Sequence, residues 1–355
     1  MRFIHTGDFH IGATLSHASF SSSDHHARRV REIEDACYRL LDVVKKDKVE
    51  MLFITGDLFD HAQVQIAKID RLFEALSELD TDVFIVIGNH DVFLHNAAYR
   101  HIRQMKNVHF FDKDEQKVAL DKVDVYGFST LGFDKSALLK LNATLDQSKR
   151  NVLCLHGDVF NEKDANFLMG EKELKALDFN YIALGHIHKH RVLAKHIVYS
   201  GNLEPLDFSE TDVKGYIKGT LDNVLTTAFV PFSKRRFIVK KIALTVKDTI
   251  ETLEQKVLDC VSDDEKTTDF IRVVLSGVVG QSFALSEAVL NQLKQDFYYL
   301  EVKDHTELDL DLKTLKEAYK DTIIEQVIDL KDGTTDPESV TLALRSLLAT
   351  EEGKR

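Results

Sequence analysis

The sequence has few cysteines and no long apolar run. Three cysteines, Cys37, Cys154 and Cys260, stand far apart among 355 residues and form neither a disulfide ladder nor a CxxC metal motif. We therefore expect buried thiols in a reducing compartment. No apolar run approaches the roughly 20 residues of a membrane-spanning helix, and MRFIHTGDFH at the N-terminus lacks the regions of a signal peptide. A cytoplasmic location without a membrane partner is expected.

Basic residues are also fewer than acidic residues. Lysine and arginine number 46 against 58 aspartates and glutamates, which gives a formal net charge of −12. This balance argues against a protein that coats nucleic acid nonspecifically, because such binding depends on lysine and arginine neutralising phosphates. A nucleic-acid enzyme is still allowed, since divalent ions can present a positive focus inside an acidic protein.

Apolar runs and helical periodicity predict an α/β domain in the first two thirds of the chain. A three- and four-residue repeat of apolar side chains predicts helices over 30–44 and 66–79. These helices alternate with strands, which is typical of an α/β fold. The clearest predicted strands are RFIHT (2–6), MLFIT (51–55), VFIVI (83–87), NVLCL (151–155) and YIAL (181–184).

The pattern changes after residue 198, where strand-like alternation dominates. The basic cluster Lys234, Arg235 and Arg236 marks a boundary, and strands alternating with two helices near 248–260 and 284–296 then predict a small α/β module. Apolar stripes predict a helical tail. We therefore predict a catalytic domain over 1–235, a capping domain over 236–310 and a tail over 311–355.

Each of the five predicted strands is followed at once by a polar cluster. Ligand sites of α/β sheets gather at the carboxyl ends of strands, so these clusters can converge on one edge. Aspartate, asparagine and histidine are suitable ligands for divalent metals. The clusters are GDFH (7–10), GDLFD (56–60), GNHD (88–91), HGD (156–158) and GHIH (185–188).

Together these motifs resemble the calcineurin-like metallophosphoesterases, whose pattern reads DxH, GDxxD, GNHD or GNHE, an isolated His, and GHxH. DFHIG, GDLFD and GNHDVF look most similar to the bacterial SbcD branch of DNA repair nucleases, especially its YhaO-like members. The resemblance implies a four-layer αββα sandwich, followed by the small α/β capping domain and the helical tail.

The resemblance also implies a two-metal centre. Mixed carboxylate, amide and imidazole ligands suit Mn²⁺, and two ions about 3.5–4 Å apart can clamp the attacking and leaving oxygens of a phosphoryl displacement. His90 would stabilise the transition state and assist the leaving oxygen, while Asp91 would orient His90 or act only as a turn residue. The implied ligands are Asp8, His10 and His188 for one ion, Asn89, His156 and His186 for the other, and Asp57 between them.

By the same resemblance, we expect metal-dependent phosphodiester hydrolysis of DNA. The implied activity is a 3′ to 5′ exonuclease with some single-strand endonuclease action. The implied partners are an SbcC-like coiled-coil ABC-type ATPase, which we expect to contact 336–350, and a second copy of the chain. Two alternatives stay open, namely another phosphodiesterase or phosphatase of the superfamily and a metal-free scaffold of the same fold.

Five further features have ordinary interpretations beside functional ones. We expect a solvent-facing His190, a core or ligand-supporting His5 and a loop-ordering Asp60. The run DHHARR (24–29) is a helix start or a contact to DNA phosphates, and SGNLEP (200–205) is a turn or a substrate loop.

Overall fold

A computed structural model describes residues 1–13, 23–61, 64–111, 116–280, 283–309, 312–331, 339–340, 343–344 and 346–348. The chain divides into two compact units, Met1–Arg236 and Phe237–Arg355. The separate tail domain from residue 311 stays a prediction. Among the described helices, none is both long and apolar enough to cross a membrane.

The larger unit alternates strands with helices. Short 3-10 helices occur at Val92–His95, Ala97–Gln104 and Thr130–Gly132. In chain order, the other elements are β1 (Arg2–Thr6), α1 (Ser23–Asp47), β2 (Met51–Thr55), α2 (Ile66–Ser77), β3 (Asp82–Val86), β4 (Val108–Phe111), β5 (Lys117–Ala119), β6 (Val123–Phe128), α3 (Lys135–Asn142), β7 (Arg150–His156), α4 (Glu171–Leu174), β8 (Tyr181–Gly185), β9 (Arg191–Ala194), β10 (Ile197–Tyr199), β11 (Gly215–Leu221) and β12 (Leu225–Pro231).

These strands form two six-stranded sheets. The first has the order β12-β11-β1-β2-β3-β4, and the second has the order β5-β6-β7-β8-β10-β9. Strands β1 to β4 are mutually parallel, as are β6, β7, β8 and β10. All five residues of β2 are buried, which explains its uninterrupted apolar sequence, because both faces of a parallel sheet are covered.

Three hydrophobic clusters separate the layers of this unit. Phe53 from the first sheet and Tyr181 from the second belong to the cluster between the sheets. Leu40 of α1 packs on the outer face of the first sheet, and Leu138 of α3 packs on the outer face of the second. The layer order is helix, sheet, sheet, helix, so the predicted αββα sandwich is confirmed.

The smaller unit is built on a three-stranded parallel sheet. Its strands pair in the order β13-β14-β15, and Leu253 and Leu293 from two helices pack on the sheet residues Ile271 and Val273. The predicted small α/β module is therefore present. The elements are β13 (Phe237–Leu244), α5 (Ile250–Asp259), α6 (Asp263–Thr268), β14 (Phe270–Val279), α7 (Glu287–Lys294), β15 (Tyr299–Leu308), α8 (Leu312–Ala318) and α9 (Ile323–Lys331).

The C-terminal residues have their own hydrophobic cluster. Val340 and Leu344 are buried with Leu315 of α8 and with Ile324 and Ile328 of α9. The expectation that 336–350 is left free for a partner is therefore wrong for these described side chains, which fill the apolar stripe of α8 and α9 instead. Residues 332–338, 341–342, 345 and 349–355 lie outside the described residues, so most of DGTTDPES is not described.

Arg29 in DHHARR is a buried structural residue. Its guanidinium pairs with Glu204 at 2.8 Å and with Glu32 at 3.3 Å, and it donates to the Pro205 carbonyl at 2.7 Å. The side chain is 0% exposed, so this arginine cannot contact DNA phosphates. Glu204 also pairs with Arg39 at 2.7 Å, so the segment 200–205 is anchored to α1.

We predict that Arg29→Ala destabilises the larger unit, because it leaves two buried glutamates short of a positive partner. Removing one member of a buried ion pair costs about 3–5 kcal/mol, and the remaining pair with Arg39 places the expected loss at the lower end. Urea unfolding followed by circular dichroism measures the change. Lys218→Ala is the control, since its pair with Asp47 is largely exposed and should contribute under about 1 kcal/mol. Equal stability of both variants would contradict this account.

Candidate metal centre

Loops from both sheets meet at one edge of the larger unit. Strands β1, β2 and β3 of the first sheet and β7 and β8 of the second each lead into one motif. This edge lies at the carboxyl ends of the parallel strands, where ligands of α/β sheets bind. The loops carry the predicted site residues Asp8, His10, Asp57, Asn89, His90, Asp91, His156, His186 and His188.

The Asp57 carboxylate lies at the centre of these loops. Its Oδ1 accepts from the backbone amide of His90 at 3.0 Å. Its Oδ2 lies 3.3 Å from His156 Nε2 and 3.9 Å from His10 Nε2. One oxygen therefore faces an imidazole from each sheet, which is the position that a carboxylate shared by two ions would need.

The first group of donors is Asp8, His10 and His188, whose candidate ligand atoms lie within 4.8 Å of one another. His10 Nδ1 contacts Asp60 Oδ1 at 3.1 Å and His188 Nδ1 contacts Glu210 Oε1 at 2.7 Å. Each Nδ1–H donates to a carboxylate, so each Nε2 is left with a lone pair. These two Nε2 atoms face each other at 2.9 Å, and facing lone pairs fit a cation.

The second group is Asp57, His156 and His186, also within 4.8 Å. His156 Nδ1 donates to the Thr55 carbonyl at 2.7 Å, so the neutral ring has its lone pair on Nε2. That atom faces Asn89 Oδ1 at 3.0 Å as well as Asp57 Oδ2. Acceptors converge here too, and the residues of both groups therefore fit a divalent ion in each.

The pKa values show that this edge stabilises positive charge. Burial by itself lowers the pKa of His156, but the carboxylates of Asp57 and Asp8 outweigh this effect and raise the pKa to about 9. Burial would likewise raise the pKa of Asp57, yet His156 and His10 hold that pKa well below its usual range. Without an ion, His156 therefore carries a proton on Nε2, and a bound cation would take the place of that proton in the same negative environment.

The backbone is strained at four of the candidate ligands. Left-handed conformations are uncommon for residues other than glycine, and they persist where the surrounding structure imposes them, often at functional sites. In the described part of the chain, such positive φ angles outside glycine occur at Asp8 (53°), His10 (49°), Asp57 (51°) and His186 (95°), and otherwise at Lys48 and Asp321 alone.

Two glycines in the motifs allow the strands' ends to approach closely. A Cβ on Gly88 would lie 2.1 Å from Asp57 Oδ1, and a Cβ on Gly185 would lie 1.9 Å from the Thr55 carbonyl oxygen. Real Cβ atoms do not tolerate such distances. The glycine before Asn89 and the glycine before His186 are therefore needed for packing, which sequence reasoning did not identify.

His90 has a different partner from the predicted one. Its Nδ1 donates to the Asp60 carbonyl at 2.7 Å. Asp91 is fully buried, and its carboxylate accepts from the amides of Leu58 and Phe59, both at 2.9 Å. The predicted contact from Asp91 to His90 is corrected, because these amides hold the Asp91 carboxylate in the loop that follows Asp57.

Glu210 supports His188 in a way that the sequence did not reveal. Besides His188, its carboxylate accepts from Asn202 at 2.8 Å and pairs with the buried Lys214 at 3.1 Å. Lys214 Nζ also donates to the His188 carbonyl at 2.7 Å. The segment 200–205 thus supports this network, and a pocket of about 300 Å³ lies beside it.

The two histidines outside the motifs have structural contacts. His5 is buried, with Nδ1 2.8 Å from the Tyr181 hydroxyl, and burial lowers its pKa to about 3. It is a core histidine, as expected. His190 is half-buried, donates to the Tyr199 carbonyl at 3.0 Å and stacks on Phe229 with 4.4 Å between ring centroids. The expectation of a solvent-facing His190 is wrong.

We predict that Glu210→Ala weakens the binding of one Mn²⁺ by about 10- to 100-fold, because loss of a carboxylate that orients a histidine ligand has costs of this size. Glu210→Gln should lose less, since an amide oxygen still accepts from His188. Calorimetric titration of metal-free protein measures both affinities. Glu171→Ala is the control, because Glu171 forms an exposed pair with Lys175. Wild-type affinity for two ions in Glu210→Ala would refute the supporting role.

Comparisons with known proteins agree with this geometry. The family described as calcineurin-like phosphoesterase matches residues 1–190. "Uncharacterized metallophosphoesterase YhaO" of Bacillus subtilis strain 168 is 28% identical over 235 residues, which cover 61% of this chain and 56% of YhaO. "DNA double-strand break repair protein Mre11" of Sulfurisphaera tokodaii is 25% identical over 234 residues, covering 61% and 57%. The SbcD component of the nuclease SbcCD of Staphylococcus saprophyticus is 24% identical over 279 residues, covering 66% and 70%.

The chain therefore matches under two thirds of the length of YhaO and of this Mre11 protein. The family match includes all five motifs, from Asp8 to His188. The three relatives support the SbcD-type branch that the motifs predicted. Since the family match spans more than half of its residues, the chain belongs to the calcineurin-like phosphoesterase family.

Proposed function

We propose that this chain is a DNA nuclease that hydrolyses phosphodiester bonds with the aid of two divalent ions. The observation that carries the proposal is the convergence of lone pairs from both sheets on the Asp57 carboxylate. The proposed ligands are Asp57 for both ions, Asp8, His10 and His188 for the first, and Asn89, His156 and His186 for the second.

The donor set supports Mn²⁺ as the metal. Carboxylate, amide and imidazole donors suit an ion of intermediate hardness, whereas structural zinc sites commonly use thiolates. When bound, the two ions would polarise the phosphodiester and lower the pKa of an attacking water. Asp60 and Glu210 keep His10 and His188 in the tautomer that an ion requires.

His90 is assigned to the leaving oxygen. Its Nδ1 is occupied by the Asp60 carbonyl, so Nε2 is available for substrate. The His90 side chain is 40% exposed, unlike the buried His10 at 2%. A protonated Nε2 can donate to the oxygen that departs. Because Asp60 contacts both His90 and His10, it aligns the proton donor with a ligand of the first ion.

DNA is the proposed substrate because two of the relatives carry names that refer to DNA repair or to a nuclease. The small α/β module in the second unit gives further support, because small-molecule and phosphoprotein members of the resembled superfamily often lack such a module. A 3′ to 5′ direction with some single-strand endonuclease action is part of the proposal. Dimerisation of the chain is also proposed from the resemblance, and light scattering tests it.

We predict Mn²⁺-dependent cleavage of labelled linear and hairpin duplexes. His90→Asn should reduce turnover by about 100- to 10,000-fold, which is the usual contribution of general acid catalysis. The variant should keep both ions and DNA binding, because His90 is not assigned as a ligand. His109→Asn is the control, as that histidine pairs with Asp82 and lies outside the motifs.

Other results would favour the alternatives. Faster hydrolysis of 2′,3′-cyclic nucleotides than of any DNA would indicate another phosphodiesterase. Protein that binds no Mn²⁺, Mg²⁺ or Zn²⁺ would indicate a scaffold. Loss of bound metal in His90→Asn would make His90 a ligand or a support of the centre.

We propose that α9 binds an SbcC-like coiled-coil ABC-type ATPase. The Staphylococcus saprophyticus relative is named as one component of the SbcCD complex. Ile323 and Leu330 are 61% and 62% exposed, while Ile324 and Ile328 face the C-terminal cluster. Seven residues make about two helical turns, so the two exposed side chains share one face. Apolar anchors on one helix face suit a helical partner.

We predict that the double variant Ile323→Glu, Leu330→Glu binds the ATPase on the order of 100-fold more weakly, because two apolar side chains lose their buried contacts. Its Mn²⁺-dependent nuclease activity should be unchanged, since neither side chain belongs to the core. Co-purification and titration measure binding. Val246→Glu is the control, as Val246 is 50% exposed in the same unit. Undiminished binding by the double variant would exclude α9 as the contact.

A further inference from the structure

An exposed phenylalanine stands on the loop that follows β7. Phe160 is 42% exposed. The loop is closed at its base, where the Asp158 amide donates to the Asn166 carbonyl at 3.0 Å and Leu168 donates back to Asp158 at 2.9 Å. The Asp158 carboxylate also accepts from the Phe160 amide at 2.5 Å. The backbone around Phe160 is therefore held in place although the residue is partly exposed.

Arg191 lies over this ring. Its guanidinium carbon is 4.7 Å from the centroid of Phe160, and Tyr199 lies 6.0 Å from Phe160 between ring centroids with an interplanar angle of 31°. Arg191 is exposed, and in the described part of the chain no carboxylate forms an ion pair with it. Phe160 and Arg191 thus form a cation–π pair, in which an exposed guanidinium lies on an aromatic ring. We call this pair the aromatic platform.

The aromatic platform borders the candidate metal centre. The carboxylates of Asp158 and Asp164 lie within 4.8 Å of a ring nitrogen of His186. Phe160 is two residues from Asp158, and two residues of chain span at most about 7 Å. The aromatic platform therefore lies within a few nucleotides of a phosphate bound at His186.

We propose that the aromatic platform stacks a nucleobase of the DNA strand whose phosphate lies at the metal centre. Aromatic rings and guanidinium planes both stack on bases, and such stacking accepts any sequence. Arg191 also supplies charge for the neighbouring phosphate. The aromatic platform would let a protein of net charge −12 bind a DNA strand locally, without a large basic surface. The inference rests on the proposed nuclease function.

The test uses substrates with and without a base at the stacked position. One abasic nucleotide is moved through the first few positions on either side of the cleaved bond, and cleavage is measured for wild type, Phe160→Leu and Phe160→Tyr. Stacking on an aromatic residue contributes about 1–3 kcal/mol per base, so wild type should lose on the order of tenfold in kcat/KM at one abasic position. Phe160→Tyr should behave as wild type.

Phe160→Leu should raise KM for ordinary DNA on the order of tenfold and show no penalty for the abasic nucleotide, because its contact with the base is already lost. Its hydrolysis of methyl p-nitrophenyl phosphate, a phosphodiester without a base, should equal that of wild type. If Phe160→Leu and wild type suffer the same abasic penalty, the platform is overturned while the nuclease function stands. If wild type hydrolyses the small phosphodiester and no DNA, the proposed function is overturned, and the platform with it.

Discussion

The arrangement of the loops at one edge of the larger unit depends on the charges around one carboxylate, that of Asp57. Asp57 comes from the first sheet, and its Oδ2 faces His156 from the second sheet at 3.3 Å. Asp8 adds a second link between the sheets, because it accepts from the amide of His186 at 2.9 Å. The two sheets could pack through apolar side chains alone, but these polar contacts fix the relative position of their loops.

This arrangement requires close packing and uncommon backbone conformations around Asp57. Gly88 lies so close to Asp57 of its own sheet, and Gly185 so close to Thr55 of the other sheet, that a Cβ has no room at either position. Asp8 and Asp57 take left-handed conformations. Backbone strain of this kind costs of order 1–3 kcal/mol per residue. Buried contacts such as those of Asp91 with the amides that follow Asp57 hold the loops in place. Gly88, Gly185 and Asp91 therefore help to hold the candidate metal ligands in position.

The sequence predicted the strands well, because apolar runs are local patterns, and it named residues that the structure brings together at one edge of the larger unit. Their role as metal ligands stays a prediction. β1 and β2 have the predicted bounds, since their apolar runs end where polar ligands begin. The supporting residues were missed for a physical reason. Glu210 reaches His188 across 22 residues of chain with no fixed spacing, and Asp91 was assigned to its sequence neighbour although its side chain points to a distant loop. Helix α6 was also missed, because its sequence DDEKTT has no apolar repeat, although the capping box of Ser262 and Glu265 was a signal for its start.

The central claim is that lone pairs converging on Asp57 bind two ions, and calorimetric titration of metal-free protein with Mn²⁺ tests it most directly. The account predicts two ions for each wild-type chain and weakened binding of both in Asp57→Asn, since both ions share this carboxylate. One ion for each wild-type chain, or two ions bound by Asp57→Asn with wild-type affinity, would contradict it.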